Sequence, residues 1–286
     1  MVPSVRTILL EGAPALQWDG PDGSCATVLL RGAQLLSWRA ADGQELLYRS
    51  PASALNRVSP VRGGVPVVFP QFGPNGPLPR HGFARQRLWQ WCAASAMDAP
   101  HSVQLTLDIA VGEEPLWPHA CRCTLHIALQ SNQLEMRLGV ENTGPTPLRF
   151  TAALHSYWAV AHSGDAILRG VLPDSEAMPV AGPIDRVLTP SAPTLVLDAG
   201  AYQLSLQQRG FDQLVVWNPG PESRLPDLPA QGHYQFVCIE PAAVDPPVQL
   251  ERGGSWWGDM LITYNRALFV TPLGPRTHHG QPPQTF

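Results

Sequence analysis

The chain has 286 residues, a formal net charge of −4 and only 15% charged residues against 44% hydrophobic ones. Its 19 basic residues are dispersed without a basic run, which argues against nucleic acid as a partner. No apolar run approaches a membrane span, and the first, Thr7–Leu10, is too short for a signal-peptide core. Five cysteines, at 25, 92, 121, 123 and 238, form an odd, unpatterned set that suits a reduced, cytoplasmic compartment better than a disulfide framework.

Proline is frequent, at 31 of 286 residues. Proline removes a donor and stops helices, so short strands and ordered turns are expected. In chain order, strand-like runs occur at 25–30, 34–39, 45–49 and 86–93. A single helical turn or two is predicted near Ala52–Arg57. Val103, Leu105, Leu107, Ile109 and Val111 then alternate with polar residues, and Cys123–Leu129 and Leu134–Val140 repeat the pattern. Further short runs fall at 194–198, 202–207, 213–218, 234–240 and 259–264, and Pro/Gly/Asn/Asp turns such as Asn218-Pro219-Gly220-Pro221 separate many of them. The expected fold is all-β: one large antiparallel β-sandwich over 1–273, with an unstructured tail from 274 to 286.

Several stretches carry chemistry. Arg62-Gly63-Gly64 opens a fully apolar run, Val65–Phe69, and a charge beside a buried strand normally needs an anionic partner. Arg80, His81 and Arg85 put three cationic or ionisable groups within six residues; the plain reading is a solvated loop, and the alternative is an anion clamp with Arg62. His119, Cys121, Cys123 and His126 invite a metal, but His126 falls on the opposite strand face and the spacing matches no common zinc pattern. No metal or cofactor is expected. His155 sits in Leu154-His155-Ser156-Tyr157-Trp158, where a lone histidine is ordinarily a satisfied core residue. Glu240 ends Tyr234–Ile239 on the face of Phe236 and Cys238, where an unpaired carboxylate would be costly. Asp212, before the run Leu214–Trp217, could bond substrate hydroxyls or simply form a turn. A base and an acid supplied by two strands to one cleft suit proton transfer on a small polar substrate.

Taken together, these motifs resemble the hexose-6-phosphate mutarotases, the glucose-6-phosphate 1-epimerase branch of the aldose 1-epimerase superfamily. The similarity rests on Arg62–Gly73, Arg80–Arg85, Leu154–Tyr157, Phe211-Asp212 with Val216–Pro219, and Cys238–Pro241, in that order, and runs from about residue 25 to 270. It implies a galactose-mutarotase-like β-supersandwich, with His155 as general acid and Glu240 as general base. It implies Arg62, Arg85 and Asp212 as substrate-binding residues, with His81 beside them; Arg80 stands where the family commonly has glutamine and is expected to bind substrate as part of the cationic cluster. The implied partner is a small sugar phosphate, glucose 6-phosphate above all, handled by a monomer without cofactor. A nearby carboxylate should also favour the imidazolium form of His155. Two alternatives stay open: a non-catalytic carbohydrate-binding or sensor protein on the same fold, and an epimerase of free sugars.

Overall fold

The computed structural model describes residues 5–55, 59–92 and 100–266. In chain order its strands are β1 (Arg6–Leu10), β2 (Ala13–Asp19), β3 (Cys25–Leu29), β4 (Leu35–Arg39), β5 (Val67–Val68), β6 (Gln90–Trp91), β7 (Ser102–Ile109), β8 (Cys121–Gln130), β9 (Gln133–Asn142) and β10 (Leu148–Leu154). They continue with β11 (Tyr157–Ala159), β12 (Ile167–Arg169), β13 (Met178–Pro179), β14 (Ile184–Leu188), β15 (Leu195–Asp198), β16 (Tyr202–Arg209), β17 (Gln213–Asn218), β18 (Phe236–Leu250) and β19 (Ser255–Arg266). All pair antiparallel. β1 to β4 form a meander. A six-stranded sheet runs β14-β17-β18-β10-β5, with β11 also on β18, and a nine-stranded sheet runs β13-β12-β15-β16-β19-β9-β8-β7-β6.

The alternating β7, β8 and β9 belong to the nine-stranded sheet. Their apolar face, including Leu105, Leu125 and Met136, packs into one large core, while charged pairs such as Arg122–Asp108 cover the other face. Cys121 and Cys123 point into that core as small apolar side chains. From the six-stranded sheet, Leu154, Val216, Val237 and Ile239 enter the same cluster. The fold is thus an all-β antiparallel sandwich. Trp18, Trp38, Trp89 and Trp158 are fully buried in it, and truncating any one to alanine should cost about 3–5 kcal/mol.

Three expectations are corrected or fall outside the described residues. No α-helix forms at 51–55, where the chain turns instead. There Ser50 and Ser53 spend their side chains on backbone N–H groups, of Ala52 and Arg62 respectively, the local competition that disfavours helix. Residues 56 and 57 of that predicted turn lie outside the described residues, as does the tail. The run 45–49 is extended but pairs only through isolated bridges, such as Leu47 with Trp158.

Candidate active site

Register builds the floor. In β18, Val237 and Ile239 face the core, so Cys238 and Glu240 face the other way. Val215 pairs with Glu240, and Val187 with Val215, giving one cross-strand row Val187–Val215–Glu240. The neighbouring row is Asp185–Trp217–Cys238–Tyr157. β17 is apolar from Leu214 to Trp217 because both its faces are covered, Leu214 and Val216 by the core and Val215 and Trp217 by the cleft floor.

His155 lies in the break between β10 and β11. Its N–H donates to the Pro66 carbonyl at 3.0 Å, and the next residue, Ser156, donates its hydroxyl to the Ile239 carbonyl at 2.6 Å. The break therefore ties β5, β10 and β18 together at the point where the imidazole leaves the sheet. Tyr157 stacks on that ring, with centroids 4.9 Å apart and planes 5° from parallel. Trp217 meets it edge-on.

Two loops form the walls of a cleft of about 750 Å³ lined by Arg62, Arg80, His81, Arg85, His155 and Glu240. Gly64 lies at φ +62°, and a Cβ there would stand 2.1 Å from the Leu35 carbonyl oxygen. Only glycine lets Arg62 enter so close to the meander. The loop after Phe69 folds back in the same way: Gly82, at φ +68°, would place a Cβ 2.2 Å from the Phe69 carbonyl oxygen. Buried Gln71 braces this loop, donating to the carbonyls of Gly73 and Leu78 and accepting from Leu78 N–H.

The catalytic candidates meet. His155 Nδ1 is 3.2 Å from Glu240 Oε1, and the side chains are 10% and 1% exposed. The approach is not aligned as a hydrogen bond: His155 Nδ1 and Glu240 Oε2 are both buried without a hydrogen-bond partner among the described residues. Arg85 Nε is in the same condition, although Arg85 Nη2 donates to the Arg80 carbonyl at 2.6 Å. Buried polar groups are ordinarily satisfied, so three orphans, each on a residue lining one cleft, mark a place built for a polar ligand.

Charge follows the same geometry. Burial, then His81, Arg85 and Arg62, push His155 well below its ordinary value. Burial, then Asp185, push Glu240 well above the usual carboxylate range, with Arg80 opposing. This reverses the expectation that the carboxylate would favour the imidazolium form of His155, because burial, His81 and the guanidiniums of Arg85 and Arg62 outweigh it. Both shifts favour the uncharged forms of the two side chains. Burial, with Arg62 and Arg80 beside it, brings Arg85 down to about 10, Tyr157 and Asp227 opposing. His81 is lowered to about 3 by burial and the charges of Arg85, Arg80 and Arg62. Donors face both its ring nitrogens, Arg80 Nε at 3.2 Å and Gly73 N–H at 3.4 Å, so its surroundings offer a second proton nothing to bond.

His155, Cys238 and Glu240 place possible ligand atoms within 4.8 Å of one another. They fit a resident cation poorly. Burial and Glu240 push the Cys238 thiol well up, and a cation would have to displace its proton beside three guanidiniums.

Asp212 does not join the cleft. It is exposed on the turn before β17 and is not among the lining residues. Asp185, exposed on β14, is instead the aspartate that lines the cleft. Sequence reading also passed over Tyr157 and Trp217 as site residues, although both stood inside quoted motifs. Asp227, which receives Arg62 Nε–H at 2.8 Å, was missed with no motif to mark it.

Comparison with known proteins shows what the chain as a whole is similar to. Residues 14–180 match the sequence profile described as aldose 1-epimerase. Two relatives, from Cenchrus ciliaris and Escherichia coli K12, carry the name "putative glucose-6-phosphate 1-epimerase". The first is 28% identical over 77% of this chain and 75% of its own. The second is 30% identical over 70% of this chain and 73% of its own. The crystal structure of a "putative mutarotase (YeaD)" from Salmonella typhimurium superposes with a TM-score of 0.79 at 25% identity, covering 93% of this chain and 94% of that one.

Proposed function

The chain belongs to the aldose 1-epimerase family, and from that premise we propose that it interconverts the α and β anomers of a hexose 6-phosphate by acid–base ring opening and closure. The observation that carries this reading is the trio of orphaned polar atoms in one cleft: a histidine nitrogen, a carboxylate oxygen and a guanidinium nitrogen. The first two supply an acid and a base, and the third asks for an anion.

In this mechanism the sugar sits over Trp217 and Tyr157, with its phosphate toward Arg62 and Arg85. The bound anion offsets the two guanidinium charges that, with burial and His81, hold His155 down. The imidazole thereby regains proton affinity and takes up the proton that Glu240, 3.2 Å away, gives up. His155 then protonates the ring oxygen as the C1–O5 bond breaks, and Glu240 takes the proton of the anomeric hydroxyl. The free aldehyde turns, the ring closes on its other face, and both protons return. Positioned acid–base groups contribute roughly 10²–10⁴-fold each, enough for a reaction that already proceeds in water.

The test is anomer-exchange NMR on glucose 6-phosphate and on glucose, with wild type, His155→Ala, Arg62→Ala and Arg85→Ala. His155→Ala should lose exchange on both sugars. The arginine variants should raise KM roughly ten- to a hundredfold for the phosphorylated sugar, the value of a charged hydrogen bond, and leave KM for glucose nearly unchanged. Equal losses on the two sugars would remove the phosphate from the reading and leave an epimerase of free sugars.

A further inference from the structure

Arg62 is held from both ends. Its N–H donates to Ser53 Oγ at 2.9 Å and its carbonyl accepts from Ser50 N–H at 3.0 Å. At the head, Nε donates to Asp227 Oδ1 at 2.8 Å, Nη1 to the Tyr157 hydroxyl at 3.2 Å, and the guanidinium carbon lies 6.0 Å from the centre of the Trp217 ring. Asp227 itself does not line the cleft; it stands behind Arg62 on the loop between β17 and β18. That loop is a fixed support. Asn218, almost fully buried at its start, donates to the carbonyls of His233 and Phe236 at its far end and accepts from Gly220 N–H. Ser50 Oγ donates to the Asp227 carbonyl at 2.6 Å, joining the loop to the same turn that holds the Arg62 backbone.

We propose that Asp227 is the positioning residue of Arg62, holding the Nε edge of its fork so that the Nη2 side stays turned to the substrate phosphate, and that this sets the preference for phosphorylated over free hexose. The proposal rests on the hexose 6-phosphate reading above. The pair is partly exposed, with side chains at 19% and 31%, so its worth to folding is small. Its worth to binding is larger. An unrestrained arginine must lose several rotors to meet a phosphate. A guanidinium already bonded at Nε and Nη1 has given up that freedom before the ligand arrives, and its planar fork carries the alignment to the ligand.

Two measurements test this on the full chain. KM and kcat for anomer exchange are taken on glucose 6-phosphate and glucose, and inorganic phosphate is titrated by calorimetry, for wild type, Asp227→Ala and Asp227→Asn. Asp227→Ala should raise KM for glucose 6-phosphate about tenfold, weaken phosphate binding in parallel, and change kcat and the glucose KM by less than about twofold. Asp227→Asn keeps an oxygen that accepts from Nε–H, so it should recover most of the lost affinity. The proposal is overturned if the alanine variant binds like wild type, if both sugars suffer equally, or if the asparagine variant is no better than alanine. Wild type that neither prefers glucose 6-phosphate to glucose nor binds phosphate would remove the substrate reading itself, and this proposal with it, before any variant is measured.

Discussion

Glu240→Gln separates chemistry from folding with one atom changed. The Glu240 side chain is almost completely enclosed and its Oε2 has no hydrogen-bond partner among the described residues, so an amide of the same volume should be accommodated. Without a base, kcat should fall roughly 10²–10⁴-fold while KM for glucose 6-phosphate stays within a few-fold, since the arginines are untouched. Stability should move the other way. The folded carboxyl is held well above its ordinary 4.5 by burial and Asp185. Above pH 4.5 the unfolded chain has lost a proton that the folded chain keeps. Wild type therefore has the full contribution of this group below pH 4.5 and loses it as pH rises through the folded value, at up to about 1.4 kcal/mol per pH unit. Glutamine has no such dependence, so the stability gap should open in favour of the variant as pH rises. Exchange NMR gives the first number, and urea midpoints from pH 4.5 to 8.5 give the second. Near-normal exchange would sink the role of Glu240, and a gap independent of pH would sink the upward shift of its carboxyl.

Two further outcomes follow from positions already described. Asp185→Asn should lower kcat/KM about tenfold or more, the value of a hydrogen bond to a charged group, whereas Asp212→Asn should stay within about twofold of wild type; the reverse order in a simple activity comparison would restore Asp212 to the site. His81 has its folded value lowered to about 3, so the unfolded chain takes a proton near pH 6.5 that the folded chain refuses. Stability should be lost as pH falls from about 6.5 toward 3, at up to about 1.4 kcal/mol per unit. His81→Asn, a residue that tolerates the φ of +67° found there, should flatten that slope in urea midpoints between pH 7 and 4, and an unchanged slope would contradict a neutral His81.

How much of this was legible depends on how many faces of a strand are covered. β7, β8 and β9 show clean alternation because one face is core and the other is water. β17 and β18 do not, because the cleft floor covers their second face, and a run such as Leu214–Trp217 gives no sign of which residues point where. Arg62 and the loop from Arg80 to Arg85 could be picked out as charge beside apolar or glycine-rich chain. Asp185 could not. It sits in a short, largely exposed edge strand, and only its pairing with Trp217, across a gap of some thirty residues, brings it to the cleft mouth. Asp212 looked the better choice because it adjoins a recognisable strand, yet adjacency in sequence left it on the outer turn. The shifts of His155 and Glu240 were also out of reach, because they depend on burial and on charges from elsewhere in the chain, Arg62 before β5, Arg80 and Arg85 on the loop after it, and Asp185 on β14.

The two loops at the rim and the strands beneath them are separable. The proposed acid and base are anchored in the sheet, by Pro66, Ile239 and the β17–β18 ladder, whereas the proposed phosphate-binding arginines hang from the connections before Val65 and after Phe69, with Asp227 behind Arg62 on the connection after Asn218. Those connections begin and end at braced points, Gln71 and Asn218, which would let their interiors be exchanged without disturbing the sheet below. A laboratory graft of 72–80 or 221–231 from another sugar-processing sandwich should then alter ligand preference, through the surroundings of Arg62 and Arg85, while His155 and Glu240 stay in place. The molecule is, in that sense, a reusable chemical floor under a replaceable roof.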